Sequence, residues 1–521
     1  MKRFNVTGNC VPEENYMVDI SGKIGQIKKL VESGSYFTIN RARQYGKTTT
    51  LAMLERELKS EYTIISISFQ GLGDSSFASD ENFCRVFIRL VTKILKVMNI
   101  EKEYIEKWNN NSVNDFDLLD EHISAMSDGK KIVLMVDEVD QASNNRVFLN
   151  FLGMLREKFI GRRNGKDSTF HSVILAGVYD IKTMKLKMMS EGTHTPSAAE
   201  NKLYNSPWNI AVDFDVDMSF CAVEIATMLT GYEADHGTGM DIAAISEEIY
   251  AYTSGYPFLV SRICQHIDEK FGQRWSKDGI EEAVQQLLAE DNTLFRDLFK
   301  NIHNNEKLRE LLYDVLFVGK QMPFSVDDEI ISMGYMYGFL KCDEGKTRVA
   351  NRIFEMRIYN YFVLQEIKAA DYSLLSARAA VAQGGHFNMS RCLEKFAQHY
   401  AEITSGRDMK FLERHGTLLF LSYLKPLVNG EGDYYVVEPQ AGDFRMDIVV
   451  QYRSERYIVE VKLWHGEKRH GEAYEQLLGY MEKKGLSEGY LLTFDFRGGK
   501  AKEPKAQWID FAGKKIFDVI V

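Results

Sequence analysis

The segment Tyr36-Phe-Thr-Ile-Asn-Arg-Ala-Arg-Gln-Tyr-Gly-Lys-Thr-Thr-Thr-Leu51 passes from a β-rich apolar stretch, through a short polar loop, into a helical stretch that ends near Lys59. Strand, loop and helix in that order point the N–H groups of a helix N-terminus at any anion bound in the loop. Gly46 then lets the backbone approach phosphate closely, Lys47 neutralises its oxygens, and the Thr48 hydroxyl is placed to hold Mg²⁺. Arg43, Gln44 and Thr49 complete the expected lining. Arg41 stands where the GxxxxGK[ST] pattern has its first glycine, which predicts an altered backbone at the loop entrance.

A phosphate loop needs an acidic partner to organise the cation and the attacking water. Lys131-Ile-Val-Leu-Met-Val-Asp-Glu supplies one: Asp137, at the end of a buried strand, is expected to bind Mg²⁺ through water, and Glu138 to orient the nucleophile as a base. Working outward, β-rich runs at 36–40, 63–69, 131–137 and 172–178 alternate with segments of helical period, which predicts a parallel sheet covered by helices. Residues 211–215 read as a fifth strand, and helical spacing at 222–231 and 240–253 as a lid. Within 306–362, two helical segments precede a strand, a turn and a strand, the order of a winged helix, which serves either DNA reading or packing. An Ala/Ser-rich stretch, 369–385, marks a boundary. The expected divisions are a core at 1–235, a lid at 236–300, a winged-helix segment at 301–368, a linker at 369–388 and a last domain at 389–521.

Arg41-Ala-Arg-Gln-Tyr-Gly-Lys-Thr-Thr together with Val136-Asp-Glu-Val-Asp resembles the AAA-like ATPases of prokaryotes related to archaeal-type P-loop ATPases. Ser254-Gly-Tyr-Pro-Phe-Leu is similar to the Gly-x-Pro motif of their lid, and the resemblance spans roughly residues 1 to 365. It implies an α/β fold of the ASCE/AAA-like P-loop type, ATP and Mg²⁺ (or Mn²⁺) as cofactors, and a sensor after the 172–178 strand, where Tyr179 and Asp180 stand. It also implies an arginine finger among Arg156, Arg162 and Arg163, against the alternative of a solvated basic helix end.

In the last domain, helical period at 389–403 and 410–428 is followed by strands at 447–452 and 456–463, a helix at 473–484 and a strand at 489–494. Residues two apart on a strand share a face, so Glu460 and Lys462 project together, and a hairpin turn near 453–455 brings Asp447 beside them. Two carboxylates suit a hard cation such as Mg²⁺ or Mn²⁺, and a lysine beside them suits the positioning of water for attack on a phosphodiester. The apolar neighbours Ile448, Val449, Ile458, Val459 and Val461 make these strands buried, where a charged trio is costly without a ligand; the alternative is an exposed edge. The pattern resembles the PD-(D/E)xK nuclease superfamily, with Met446-Asp447 where Pro-Asp is commonest and Glu460-Val-Lys462 as the second half. That resemblance implies that Gln476, in Gln476-Leu-Leu-Gly-Tyr480, positions phosphate or water, and that Glu413 is a supporting acid, with Glu438 competing for the role. His465 and His470 read as phosphate contacts or as surface histidines.

The formal net charge of −10 requires any nucleic-acid binding to use a local basic surface. Lys462, Lys468, Arg469, Lys483, Lys484, Arg497, Lys500, Lys502 and Lys505 supply one candidate, a solvated mixed-charge face being the alternative. The six cysteines form no CxxC pair and read as reduced core residues. No apolar run approaches the roughly 20 residues of a membrane span, and residues 1–20 carry no export signal, so a cytoplasmic location is expected. The whole predicts an ATP-regulated, metal-dependent nuclease acting on DNA ahead of RNA. Family analogy adds a role against mobile DNA or phage. Two alternatives stay open: a nucleotide switch whose nuclease-like domain only binds nucleic acid or a protein, and a remodelling motor, which would need a hexamer. No membrane partner is expected; a homo-oligomer is a further open expectation.

Overall fold

The computed structural model describes residues 2–98, 105–106, 108, 113–142, 146–178, 208–318, 320–369, 381–383, 386–404, 409–428, 434–439, 445–464, 466–495 and 504–521. They form two compact units, one of residues 1–297 and 332–340, the other of residues 298–331 and 341–521. Among the described residues no helix is long and apolar enough to cross a membrane.

The first unit is built on a four-stranded sheet of β1 (Tyr36–Asn40), β2 (Thr63–Ser68), β3 (Ile132–Asp137) and β4 (Ser172–Gly177), in the order β1-β4-β3-β2. Every neighbouring pair is parallel. The two central strands are buried throughout, which is why they read as unbroken apolar runs without alternation. Helices α1 (Ser21–Glu32), α2 (Lys47–Leu58), α3 (Asp80–Val97), α4 (Phe116–Ser127) and α5 (Arg146–Arg163) accompany the sheet. Ser79 and Asp115 cap α3 and α4, each accepting a backbone N–H from three residues on, which fixes where those helices start. An aromatic cluster including Phe83, Phe87, Trp108, Phe148 and Phe151 packs between these helices and the sheet.

The fifth strand expected at 211–215 is instead a single bridge, Val212 N–H donating to Tyr36 O at 2.9 Å. Two causes are visible. Trp208 occupies the edge beside β1, its Nε1–H bonded to Thr38 Oγ1 at 2.9 Å, and acidic residues alternate through Asp213-Phe-Asp-Val-Asp.

Four helices follow: α6 (Ala222–His236), α7 (Ile242–Thr253), α8 (Pro257–Glu269) and α9 (Lys277–Ala289). The turn from α7 to α8 is fixed by Gly255, at φ 71°, whose carbonyl accepts from Phe220 N–H at 2.9 Å. A Cβ there would stand 1.8 Å from Phe220 O. Gly255→Ala is therefore expected to lower the unfolding midpoint of the first unit by several degrees, from a cost of at least about 2 kcal/mol. Differential scanning calorimetry checks it, and an unchanged midpoint would contradict the contact. Helix α10 (Thr293–Asn304) begins in the first unit, and its residues from Leu298 belong to the second.

Next come α11 (Glu306–Tyr313), α12 (Glu329–Met336), the paired strands β5 (Leu340–Asp343) and β6 (Lys346–Val349), and α13 (Arg352–Ala369). A two-residue pairing, β7 (Ala382–Gln383) with β8 (His386–Phe387), precedes α14 (Met389–Thr404) and α15 (Met409–Val428).

A six-stranded sheet then forms from β9 (Tyr434–Pro439), β10 (Arg445–Tyr452), β11 (Glu455–Leu463), β12 (Glu488–Phe494), β13 (Lys505–Phe511) and β14 (Lys514–Ile520), ordered β13-β14-β12-β11-β10-β9. Strands β9, β10 and β11 are antiparallel, β11, β12 and β14 parallel, and β13 antiparallel to β14. Helix α16 (Glu467–Lys484) lays Ala473, Leu477 and Met481 against Val449, Ile458, Leu491 and Ile516. Because side chains alternate in direction along a strand, that same face carries Glu460, Lys462 and Asp518.

The cysteines divide. All six are free; Cys84, Cys264 and Cys392 are core residues, but Cys10 is half-buried and Cys221 and Cys342 are exposed, which corrects the expectation of six buried thiols. Cys221 is exposed because it occupies the N-cap position of α6, where its N–H donates to Glu224 Oε2 at 2.9 Å.

Candidate functional site

The loop between β1 and α2 makes its turn with two left-handed residues, Gln44 (φ 57°) and Gly46 (φ 79°). Arg41, where an altered backbone was expected, is not among the residues of positive φ. The Arg41 side chain turns away from the loop: its guanidinium donates to Asn40 O at 2.8 Å and Val216 O at 2.7 Å and lies 5.3 Å from the Phe214 ring centre. Lys47 is buried, its ammonium donating to Arg41 O at 2.9 Å and Ala42 O at 3.0 Å. Burial pulls its pKa below the ordinary lysine value, while the carboxylates of Asp140, Glu138 and Asp137 oppose that fall.

The Thr48 hydroxyl donates to Asp137 Oδ2 at 2.6 Å, joining the first turn of α2 to the end of β3. Asp137 Oδ1 accepts the N–H of Glu138 at 2.9 Å, and Glu138 sits at φ 55°, a conformation a non-glycine residue adopts only when its surroundings hold it. Burial, and then the charge of Asp137, raise the Glu138 carboxyl above its usual range. The donors gathered here are all oxygen, the set that a hard divalent cation prefers, so the residues fit Mg²⁺.

Asp140 was not read from the sequence as a site residue. Its Oδ2 accepts the N–H of Val178 at 2.7 Å and so fastens the acidic turn to the end of β4. The signal available was its place in Val136-Asp-Glu-Val-Asp140. A Cβ on Gly177 would meet Asp140 Oδ1 at 2.8 Å and Val139 Cγ2 at 2.9 Å. Gly177→Ala is expected to shift that turn and lower ATP turnover at least about ten-fold, by analogy with small misplacements at catalytic groups. Phosphate-release rates at saturating ATP check this.

The loop is held from several directions. Gln44 Nε2 donates to Thr293 Oγ1 at 3.2 Å, and Arg43, mostly exposed, pairs with Asp297 at 3.1 Å; both partners belong to α10. Tyr256 Oη donates to Arg43 O at 2.5 Å, and Tyr45 bonds Ser219 at 2.7 Å while meeting the Tyr256 ring edge-on. Thr49 Oγ1 accepts the N–H of Cys10 at 3.2 Å, tying the N-terminal segment to α2. Beside the loop lies a cavity of about 350 Å³, lined by Val18, Ile20, Ile27, Tyr45, Met228 and Phe258 among others. An apolar slot beside a phosphate loop suits the flat ring of a base.

Arg162 is not a free finger, nor part of a solvated helix end. It donates to the carbonyls of Phe170 and His171 and to Gly34 O, and its guanidinium lies against the Tyr36 and Phe159 rings. Arg163 is exposed and Arg156 half-buried. Tyr179 and Asp180 lie outside the described residues.

In the second unit, Asp447 and Glu460 are direct partners across β10 and β11, and Glu438 partners Asp447 from β9. Glu460 is 2% exposed. Lys462 Nζ lies 3.0 Å from Glu460 Oε1 and donates to Gln476 Oε1 at 2.7 Å. These strands are interior to the sheet, which removes the exposed-edge alternative. The side chains of Asp447, Glu413 and Glu438 lie outside the described set, and among the described residues no group of three or more His, Cys, Asp and Glu converges to hold a metal. Glu460 is a carboxylate donor of the kind a hard cation takes, and here it faces Lys462. His465 also lies outside the described residues.

His470 is no surface histidine. It is 11% exposed, with Nε2 at 3.0 Å from Asp518 Oδ2, and Tyr474 Oη donates to the same oxygen at 2.8 Å. Of the basic run, Arg497, Lys500 and Lys502 lie outside the described residues, as do the side chains of Lys468, Arg469 and Lys483; Lys505 is exposed at the start of β13.

A family profile described as an AAA-like domain matches residues 16–360. No curated protein matches the chain. Among solved structures, the chain is similar to the Walker-type ATPase of Pyrococcus abyssi, at 10% identity and TM-score 0.46, covering 68% of this chain and 99% of that one. It is also similar to the Aeropyrum pernix ORC2 protein in ADPNP–ADP complexes, at 12% identity and TM-score 0.38, covering 70% and 97%. A further similarity is to the Aeropyrum pernix ORC1 protein in complex with DNA, at 11% identity and TM-score 0.30, covering 67% and 94%.

Proposed function

Because the chain belongs to the AAA-like domain family, we propose that its first unit binds and hydrolyses ATP and thereby regulates a metal-dependent nuclease site in its second. The observation that carries the first half is the 2.6 Å bond from Thr48 to Asp137 beside the buried Lys47. A divalent cation there would be held by Thr48 and Asp137 and would offset the charge of the phosphates. Lys47 turns its ammonium from the loop carbonyls to the phosphates, the loop N–H groups bind their oxygens, and Glu138 orients the attacking water. The base enters the apolar slot.

The nuclease half rests on Glu460, buried on an interior strand, and on Lys462, 12% exposed, paired with it and held against Gln476. A buried pair of this kind is expensive without a function. A divalent cation held by Glu460 and Asp447, with Glu413 in support, would draw charge from the phosphodiester. Lys462 positions the water and Gln476 positions Lys462. We read the six-stranded sheet as a PD-(D/E)xK-type nuclease domain, 306–362 as a winged helix, and the domain divisions as 1–235, 236–300, 301–368, 369–388 and 389–521. The regulation is proposed because the nucleotide site and the Glu460–Lys462 pair lie on one chain. DNA is the proposed substrate, the cytoplasm the proposed location, and defence against mobile DNA the proposed role.

The test incubates the purified chain with supercoiled plasmid and single-stranded DNA in Mg²⁺ or Mn²⁺, with and without ATP. Nicking or degradation that requires the cation supports the reading. ATP hydrolysis without any cleavage would replace it by a nucleotide switch whose second unit only binds.

A further inference from the structure

The face of the six-stranded sheet that carries Glu460 and Lys462 carries a second polar cluster, two strands away. In register, Asp447 of β10 pairs with Glu460 of β11, Glu460 with Leu491 of β12, and Leu491 with Asp518 of β14. At about 4.8 Å per strand, the Asp518 backbone lies about 10 Å from that of Glu460. Helix α16 roofs both positions, with Gln476 over Lys462 and His470 over Asp518.

Asp518 is 2% exposed, and its Oδ1 has no hydrogen-bond partner among the described residues. Its Oδ2 accepts from Tyr474 Oη and lies 3.0 Å from His470 Nε2. Tyr474 Oη lies 3.0 Å from the same Nε2; an Nε2–H facing the Asp518 carboxylate leaves Nδ1 as the nitrogen turned to a substrate. The Trp464 ring lies 4.7 Å from the imidazole and limits its rotation. A carboxylate that fixes the tautomer and orientation of a histidine is the arrangement by which an imidazole is prepared for proton transfer.

Hydrolysis of a phosphodiester is accelerated by such a group. Water is activated on one side of phosphorus, and the departing oxygen leaves on the other carrying negative charge. Lys462 is assigned to the water, which leaves the proton for the departing oxygen to another group on this face. We infer that His470, oriented by Asp518 and Tyr474, protonates the departing oxygen when this site cleaves a phosphodiester. The inference rests on the nuclease reading of the second unit. In the step, water oxygen forms its bond to phosphorus and gives up a proton to solvent. The bond from phosphorus to the leaving oxygen breaks, its electron pair staying on oxygen, which takes the proton from His470 Nδ1; His470 then reloads from solvent. Asp518 and Tyr474 are positioning residues.

The test uses the full chain and oligonucleotides in which sulfur replaces a bridging oxygen at one linkage, on either the 3′ or the 5′ side. A thiolate leaves without protonation, so a missing acid matters little for it. His470→Gln and, separately, Asp518→Asn are expected to slow cleavage of the ordinary phosphodiester about 10²-fold, the usual contribution of a general acid. Cleavage of one of the two sulfur-bridged substrates is expected to stay within a few-fold of the wild-type rate. That retained cleavage also shows the variant folded, and His470→Asn serves as a second variant. Equal slowing on all substrates, or none on any, would overturn the acid while leaving the nuclease. A wild-type chain that cuts none of the substrates overturns the nuclease reading and the acid with it.

Discussion

Lys47→Ala is expected to lower ATP turnover at least about 10²-fold and to weaken ATP binding, while leaving the unfolding midpoint of the first unit nearly unchanged. The two effects separate because burial works against the lysine's charge. Its pKa is pulled down, so the charged form is less favourable in the folded chain than in the unfolded one, and folding carries that cost throughout the pH range in which the free side chain is charged. The bonds to Arg41 O and Ala42 O offset part of it. Alanine removes both the cost and the bonds. What it cannot replace is a cation at the phosphate oxygens. Isothermal titration with ATP and Mg²⁺, together with phosphate release, reads both effects; turnover within a few-fold of wild type would contradict the role given to Lys47.

Glu460→Gln is expected to abolish cleavage, by about 10³-fold or more, and to leave ATP turnover intact. The substitution keeps shape and volume at a fully buried position but removes the charge that faces Lys462 at 3.0 Å. Lys462 then keeps Gln476 as a partner and loses its counter-ion, so the second unit should also lose stability, by up to about 3–5 kcal/mol, the range seen when one member of a buried pair is removed. Lys462→Met in the same background relieves the unpaired charge and should recover stability without recovering cleavage. Plasmid cleavage and thermal unfolding of the single and double variants check both. Cleavage that survives Glu460→Gln would sink the nuclease site.

Much of the first unit was legible because its signals are local. A strand ending in Asn40, a loop with Gly46-Lys47-Thr48 and a helix are contiguous, and β3 and β4 are apolar at nearly every position because helices cover a parallel sheet on both faces. The run at 211–215 misled because a short β-rich stretch carries no information on whether a neighbour such as Trp208 already fills the sheet edge. Arg41 and Arg162 were not legible for another reason: the motif position of Arg41 predicted only an altered backbone, and Arg162 read as an arginine finger or a solvated helix end, while backbone carbonyls more than a hundred residues away in sequence claim both guanidiniums.

The second unit was legible where polar residues interrupt buried strands, as at Asp447, Glu460 and Lys462. It was not legible at β13 and β14. Most of β13 is exposed, so no apolar run announces it, and Asp518 acquires meaning only when β14 lies beside β12 and below His470. Asp140 is similar, a member of an acidic run whose particular task depends on the end of β4.

The initial rate of DNA cleavage in Mg²⁺, measured with and without ATP in the wild-type chain and in Lys47→Ala, asks whether the nucleotide site governs the second unit. A rate that changes with ATP in the wild type and is indifferent to ATP in Lys47→Ala is the predicted result. Cleavage that responds identically to ATP in both, or to ATP in neither, would contradict regulation of the nuclease by the nucleotide site.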